Sequence, residues 1–199
     1  MFKKIFRSLG TVADEPQLNA ADREQIDEFP DLDVAARLLT APSALMQLSL
    51  AEAMVVLRYM RPAHIPAGTQ FIKEGDVRNT DFMVLVLEGD VTVEGIVVSS
   101  VAPMTLTVLG PGSLHGELGL LDGMARSATC TASSDLSCMM MRREDMLQLL
   151  KDDAPVGAKL VMAIAMRISD RLRDNTAKLK KFVFLTKALQ QEINHLLPS

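Results

Sequence analysis

The chain has 199 residues, 48% of them hydrophobic, which suits one domain with appendages or two small ones around a real core. Its formal net charge of -4 argues against a protein built mainly to coat nucleic acid. No apolar run approaches the roughly 18 residues that a membrane span needs, and the opening "MFKKIFRSLG" is too short and too charged for a secretory signal.

Residues 1–42 read as an acidic leader, partly disordered or helical. Between residues 11 and 33 there are eight Asp/Glu against Arg23 alone, and Pro30 and Pro42 punctuate the stretch. Phe2, Ile5, Phe6 and Leu9 fall on one face of a short basic turn, which reads as a frayed or packed terminus. Ser49 and Glu52 then form an S-x-x-E capping box before "AMVVLRYM", so a helix is expected near 50–60.

From Ala63 the character changes. Short β-rich runs ("TQFI", "DFMVLVL", "VTVEGIVV", "TLTVLGPG", "SATCTA", "LSCMMM") alternate with Gly, Pro and Asp turns. Many short strands at close intervals predict a sandwich, barrel or jelly roll over 43–152 and not alternating βαβ units. A hairpin turn at "SSD", centred near Ser134, would set Cys130 opposite Cys138. The favoured reading of the pair is two small buried thiols in a reducing cytoplasm. His64, His115 and His195 are scattered, and no Cys/His spacing reads as a metal site.

After Arg142 the period becomes helical. "REDMLQLL" is one short helix, and Pro155 opens a long amphipathic stretch, so 153–199 is one long helix or a helix pair. Ala165, Ile168, Leu172, Asn175, Leu179, Phe182, Thr186, Leu189, Ile193 and Leu196 keep a 3-4 spacing, the mark of a dimerisation seam. Asn175, polar on that seam, would fix register. Arg167, Arg171, Arg173, Lys178, Lys180 and Lys181 read as the solvated face of the same helix.

The chemistry concentrates in "GELGLLDGMARSAT", Gly116 to Thr129, where Glu117 and Arg126 stand in small, apolar company. Gly116 and Gly119 bracket a single helical turn, whose unpaired amides would hold an anion. Arg126 could offer a fork of donors to a phosphate, with Ser127 and Ala128 adding amides. A carboxylate repels phosphate but accepts from a sugar hydroxyl, which gives Glu117 a role. On spacing alone, an Arg–Glu pair bracing a loop fits the same residues.

This stretch resembles the phosphate-binding cassette of the cyclic nucleotide-binding domain family. The resemblance rests on Gly116-Glu117-Leu118-Gly119-Leu120 and Arg126-Ser127-Ala128-Thr129. Supporting matches are Pro66-Ala67-Gly68, Glu74-Gly75-Asp76, Glu88-Gly89-Asp90 and Gly110-Pro111-Gly112, in the family's order. It implies a mainly β fold: an eight-stranded antiparallel β-roll (jelly roll) with a preceding helix and a C-terminal helical segment. It also implies that Glu117 holds the ribose 2′-hydroxyl and Arg126 the cyclic phosphate, with Ser127 and the Gly119 region as support. The long helix is similar to that of the family's catabolite-activator branch, which implies that Asn175 and Thr176 reach the base. His115 departs from the aromatic or aliphatic residue usual before Gly116.

The expected function is a cytoplasmic cyclic-nucleotide sensor, for cyclic AMP with cyclic GMP as the alternative ligand. It is expected to be a homodimer through the C-terminal helix, acting on an unnamed downstream protein, with no DNA-binding domain after Leu197 and no further cofactor. The competing reading is a degenerate, ligand-free copy used for assembly, against which the intact Glu117 and Arg126 speak. No nucleophile–base pair or metal cluster suggests an enzyme.

Overall fold

The computed structural model describes residues 31–96 and 103–196. The expectations for the leader up to Pro30 and for the stretch after Leu196 lie outside the described residues.

Two short helices come first, α1 (Leu32–Leu39) and α2 (Leu50–Leu57). The capping box of α2 forms as its sequence predicts: Ser49 N–H donates to Glu52 Oε2 at 2.8 Å and Glu52 N–H to Ser49 Oγ at 3.3 Å. Lys159 Nζ donates to both oxygens of the same carboxylate, at 2.8 and 2.7 Å. These contacts and the Ser49 amide hold the Glu52 carboxyl at about 2, well below the ordinary carboxylate range.

Eight strands follow: β1 (Arg61–Ile65), β2 (Gln70–Ile72), β3 (Phe82–Glu88), β4 (Val91–Ile96), β5 (Pro103–Leu109), β6 (Leu114–His115), β7 (Thr129–Ala132) and β8 (Leu136–Arg142). All described pairings are antiparallel, in two four-stranded sheets ordered β1-β8-β3-β6 and β2-β7-β4-β5. This is the eight-stranded β-roll that the resemblance implied. One local expectation fails. β7 and β8 flank the "SSD" turn but enter different sheets, so Cys130 and Cys138 are not partners on one hairpin ladder. Both are buried free thiols.

The first sheet is covered on both faces, which is why β3 is a continuous apolar run and not an alternating one. Val84, Val86, Leu136 and Cys138 point between the sheets and meet Val91, Val93, Cys130 and Ala132. Met83, Leu85, Met139 and Met141 point the other way, into a core closed by helices. Those helices are α1, α2, α3 (Glu117–Asp122), α4 (Arg143–Asp152) and α5 (Ala154–Leu196).

At 43 residues α5 is on the order of 65 Å long. Leu160, Ala163 and Ile164 are fully buried against the roll, with Val156, Val161 and Ile168 packed beside them. Past Ile168 the apolar packing against the roll stops while the apolar spacing continues. Leu172 is 65% exposed and Phe182 66%, and Leu179, Leu189 and Ile193 are exposed too.

The Glu52 contacts give a pH signature. A carboxyl held below its ordinary value stabilises the fold above that value and withdraws its contribution as pH falls toward the folded value. Melting temperature is expected to drop between pH 4.5 and about 2, with a shallower drop in Glu52→Gln. Thermal denaturation across that range measures it.

Candidate functional site

The cassette is held by a buried guanidinium. Arg126 lies in the loop between α3 and β7, and its backbone is fixed by two bonds to the β2–β3 turn. Arg126 N–H donates to Asp76 O at 3.0 Å, and Gly75 N–H to Arg126 O at 2.9 Å. Its side chain turns inward and is only 4% exposed. Nε donates to the Asn79 carbonyl at 2.9 Å, Nη1 to Gly116 O at 2.9 Å and Nη2 to Phe82 O at 3.0 Å. The guanidinium carbon sits 4.4 Å from the centroid of the Phe82 ring, a cation–π contact. Burial lowers the Arg126 pKa, and Asp81, Cys130, Asp76 and Glu117 oppose that shift.

This guanidinium explains two of the glycines beside Glu117. A Cβ on Gly116 would stand 2.7 Å from Arg126 Nη1 and from Phe82 O, and Gly116 has φ +86°. A Cβ on Gly119 would stand 2.6 Å from Thr80 O and 2.9 Å from Arg126 Nη1. Glycine at both positions lets the turn of α3 lie against the arginine. Arg143, at the start of α4, closes the other end: its Nε donates to Leu120 O at 2.8 Å, and Nη2 donates to Gly119 O.

Glu117 opens α3, but the helix runs on to a cap at Gly123, so Gly119 lies inside the turn that it was expected to bracket. Leu120 N–H is bonded to Gly116 O at 3.1 Å, so the amides of residues 117 to 119 precede the helix's own ladder. The carboxylate is 2% exposed. Arg171, reaching down from α5, donates from Nη1 to Glu117 Oε1 at 3.0 Å.

Around these groups lies a cavity of about 170 Å³ between the cassette, the inner faces of the strands and α5. Gly116, Glu117, Leu118, Gly119, Arg126, Ser127 and Ala128, all singled out in the sequence, line it. Asn175 and Thr176 do not. They lie further along α5, exposed to solvent, and the Thr176 hydroxyl donates to Leu172 O at 2.8 Å.

Two residues read as solvated helix face need correction. Arg167 and Arg171 line the cavity, and Arg167 also reaches Leu114 O at 3.3 Å. The signal was present: 160, 164, 167, 168 and 171 recur at three and four residues, so both arginines continue the stripe that buries Leu160 and Ile164. Arg173, by contrast, pairs with Asp170 in solvent at 2.7 Å.

His115 is the other unanticipated wall. Its register partner on β3 is Val84, which faces the space between the sheets, so His115 faces there as well. Its Nε2 is 2.9 Å from Ser113 Oγ and its Nδ1 3.9 Å from Cys130 Sγ. Burial, then the charges of Arg167 and Arg171, push its pKa down to about 4, so at neutral pH the ring is uncharged. Burial pushes the Cys130 thiol up to about 12. Among the described residues, no cluster of His, Cys, Asp or Glu is placed to hold a metal ion. The cavity wall thus carries three guanidiniums, one carboxylate and a neutral imidazole.

Comparison with known proteins agrees with this geometry. The sequence profile described as cyclic nucleotide-binding domain matches residues 62–153. A cyclic nucleotide-gated potassium channel of Rhizobium etli is 30% identical over 130 residues, which is 65% of this chain and 34% of the channel. The cyclic AMP receptor protein of Thermus thermophilus is 31% identical over 119 residues, 60% of this chain and 54% of the receptor. The chain therefore spans about a third of the one relative and about half of the other. In fold, a cyclic nucleotide-binding domain from Methylobacillus flagellatus superposes with a TM-score of 0.64 at 24% identity, over 82% of this chain and 86% of that one.

The tight seat of Arg126 makes Gly119 a sensitive position. Gly119→Ala forces a methyl group against the Thr80 carbonyl and the guanidinium. The expected destabilisation is roughly 1–3 kcal/mol, the usual cost of overpacking. Urea unfolding measures it, and because Gly119 is helical with no positive φ, the loss reads the clash and not backbone strain.

Proposed function

With residues 62–153 belonging to the cyclic nucleotide-binding domain family, we propose that this chain is a cytoplasmic cyclic-nucleotide sensor whose ligand is cyclic AMP. The observation that carries the reading is the meeting of Glu117, Arg126 and the first amides of α3 on one small cavity. A guanidinium has five N–H donors, and Arg126 commits three of them to carbonyls, which leaves two for a phosphate oxygen. The amides of α3 and of Ser127 and Ala128 supply further donors, and Glu117 accepts from the ribose 2′-hydroxyl. Arg171 lies on the same carboxylate, so ribose shares Glu117 with it or displaces it.

Charge supports the assignment. The cavity wall sets Arg126, Arg167 and Arg171 against the single carboxylate of Glu117, an excess of positive charge that suits an anionic ligand such as a cyclic nucleotide. No described helix is long and apolar enough to cross a membrane. The exposed seam beyond Ile168 is best covered by a second copy of the helix in a two-fold dimer, since a C2 contact buries the same stripe on both chains. Asn175 and Thr176, idle in the single chain, would then stand between the helices near the base.

Calorimetry tests the ligand. Cyclic AMP is expected to bind, with cyclic GMP weaker or comparable, and at 100 times its Kd to stabilise the fold by roughly 2.7 kcal/mol. Arg126→Ala is expected to cost on the order of 2–5 kcal/mol of binding, and melting of the free variant separates that loss from unfolding. Glu117→Gln is expected to narrow the preference for cyclic AMP over its 2′-deoxy analogue. Binding of neither nucleotide to the wild type would refute the sensor and leave an assembly module.

Sedimentation velocity tests the dimer. Leu172→Glu combined with Leu179→Glu places like charges on the seam and is expected to give monomers, and a monomeric wild type with and without nucleotide would remove the dimer from the proposal.

A further inference from the structure

Three segments meet on one side chain of α5. Arg167 Nη1 donates to the carbonyls of Ser43 and Ala44 in the loop between α1 and α2, and Nη2 donates to Leu114 O on β6 at 3.3 Å. The loop is tied to the bend before β6 as well, by Ser43 Oγ donating to Gly112 O at 2.8 Å. The same guanidinium lines the cavity. Its acceptors are neutral carbonyls, and Glu117, the carboxylate whose charge it feels, is hydrogen-bonded by Arg171. A guanidinium is attracted more strongly by a charged oxygen than by a neutral carbonyl, because the attraction between two full charges is strong where water is excluded. An anion entering the cavity therefore competes with the loop for Arg167.

The loop and the arginine each carry an unmet bond. Among the described residues, two buried side-chain polar atoms lack a hydrogen-bond partner: Arg167 Nε, a donor, and Gln47 Oε1, an acceptor in that same loop. Buried polar atoms are nearly always paired, because an orphan forfeits its hydration without compensation. The two orphans, one acceptor and one donor, lie on two segments already joined by the Arg167 bonds, so repacking of the loop has two unmet bonds to gain.

We propose that Arg167 is a positioning residue that couples the nucleotide cavity to the α1–α2 loop. With the cavity empty, it binds the Ser43 and Ala44 carbonyls and holds the loop down. An anionic ligand draws the guanidinium toward the cavity, and the loop, with Gln47, repacks. The coupling passes through one side chain of this chain's own long helix and needs no contact between ligand and loop. It rests on the cyclic-nucleotide reading above.

Hydrogen exchange of the full chain, free and saturated with cyclic AMP, reads the coupling directly. In the wild type, exchange is expected to change several-fold both at the cassette, 116–128, and in the loop, 41–48. In Arg167→Met, brought to saturation at whatever concentration that requires, the loop's change is expected to fall by more than half while the cassette still responds. Arg167→Lys is expected to give an intermediate loop response. Gln47→Leu removes the orphan acceptor and keeps every cavity residue. It is expected to melt no lower than wild type and to lose part of the loop's response, which also covers the case of an Arg167→Met chain that does not fold. A wild-type cassette that responds while the loop does not overturns the proposal, as does a full loop response in Arg167→Met, or in Arg167→Lys and Gln47→Leu together. No response at either segment, with no calorimetric heat, overturns the cyclic-nucleotide reading itself and the coupling with it.

Discussion

The buried guanidinium of Arg126 is the constraint around which the cassette is arranged. It joins three carbonyls from three stretches of chain: Asn79 in the turn before β3, Phe82 at the start of β3, and Gly116 at the head of α3. A charge this deep is tolerated only when its donors are met and opposite charge is near. The carbonyls meet three of its five donors, and Asp81 and Asp76 supply opposite charge. The glycines at 116 and 119 follow as clearance for it, and the position of Glu117 follows from the turn those glycines permit. On the proposed reading, the residue that holds the phosphate is thus also the one that shapes the wall around it.

Helix α5 joins the roll to the cavity by charge as well as by packing. Its first four turns bury Leu160, Ala163 and Ile164, and that packing fixes the height at which the helix crosses the cassette. At that height Arg171 reaches Glu117, and Arg167 reaches β6 and the α1–α2 loop. The two arginines make the cavity more positive than the cassette alone would, and together with burial they hold His115 neutral. The second half of α5 leaves its apolar stripe open, so the helix is stable there only through its own ladder or a partner's cover. The closed and open halves meet near residue 171, where the helix lies over the site.

The sequence by itself determined everything that depends on local chemistry. The capping box at Ser49 and Glu52, the turn glycines, the strand runs and the helical turn at Glu117 are short-range patterns, and each formed where its residues stood, while the apolar spacing of α5 persists as a stripe whose second half is exposed. What needed the tertiary structure was which segments face one another. The "SSD" turn looked like a hairpin, but its two strands part to opposite sheets because the roll closes by crossing over at that corner. Arg167 and Arg171 looked like solvated charge because a periodicity records a face without recording what the face lies against. Arg126 looked free to bind a ligand because its three carbonyl partners lie 10, 44 and 47 residues away. A charge's neighbours are set by the closure of the sheets, and only that closure decides whether a guanidinium meets water, a ligand or the protein's own backbone.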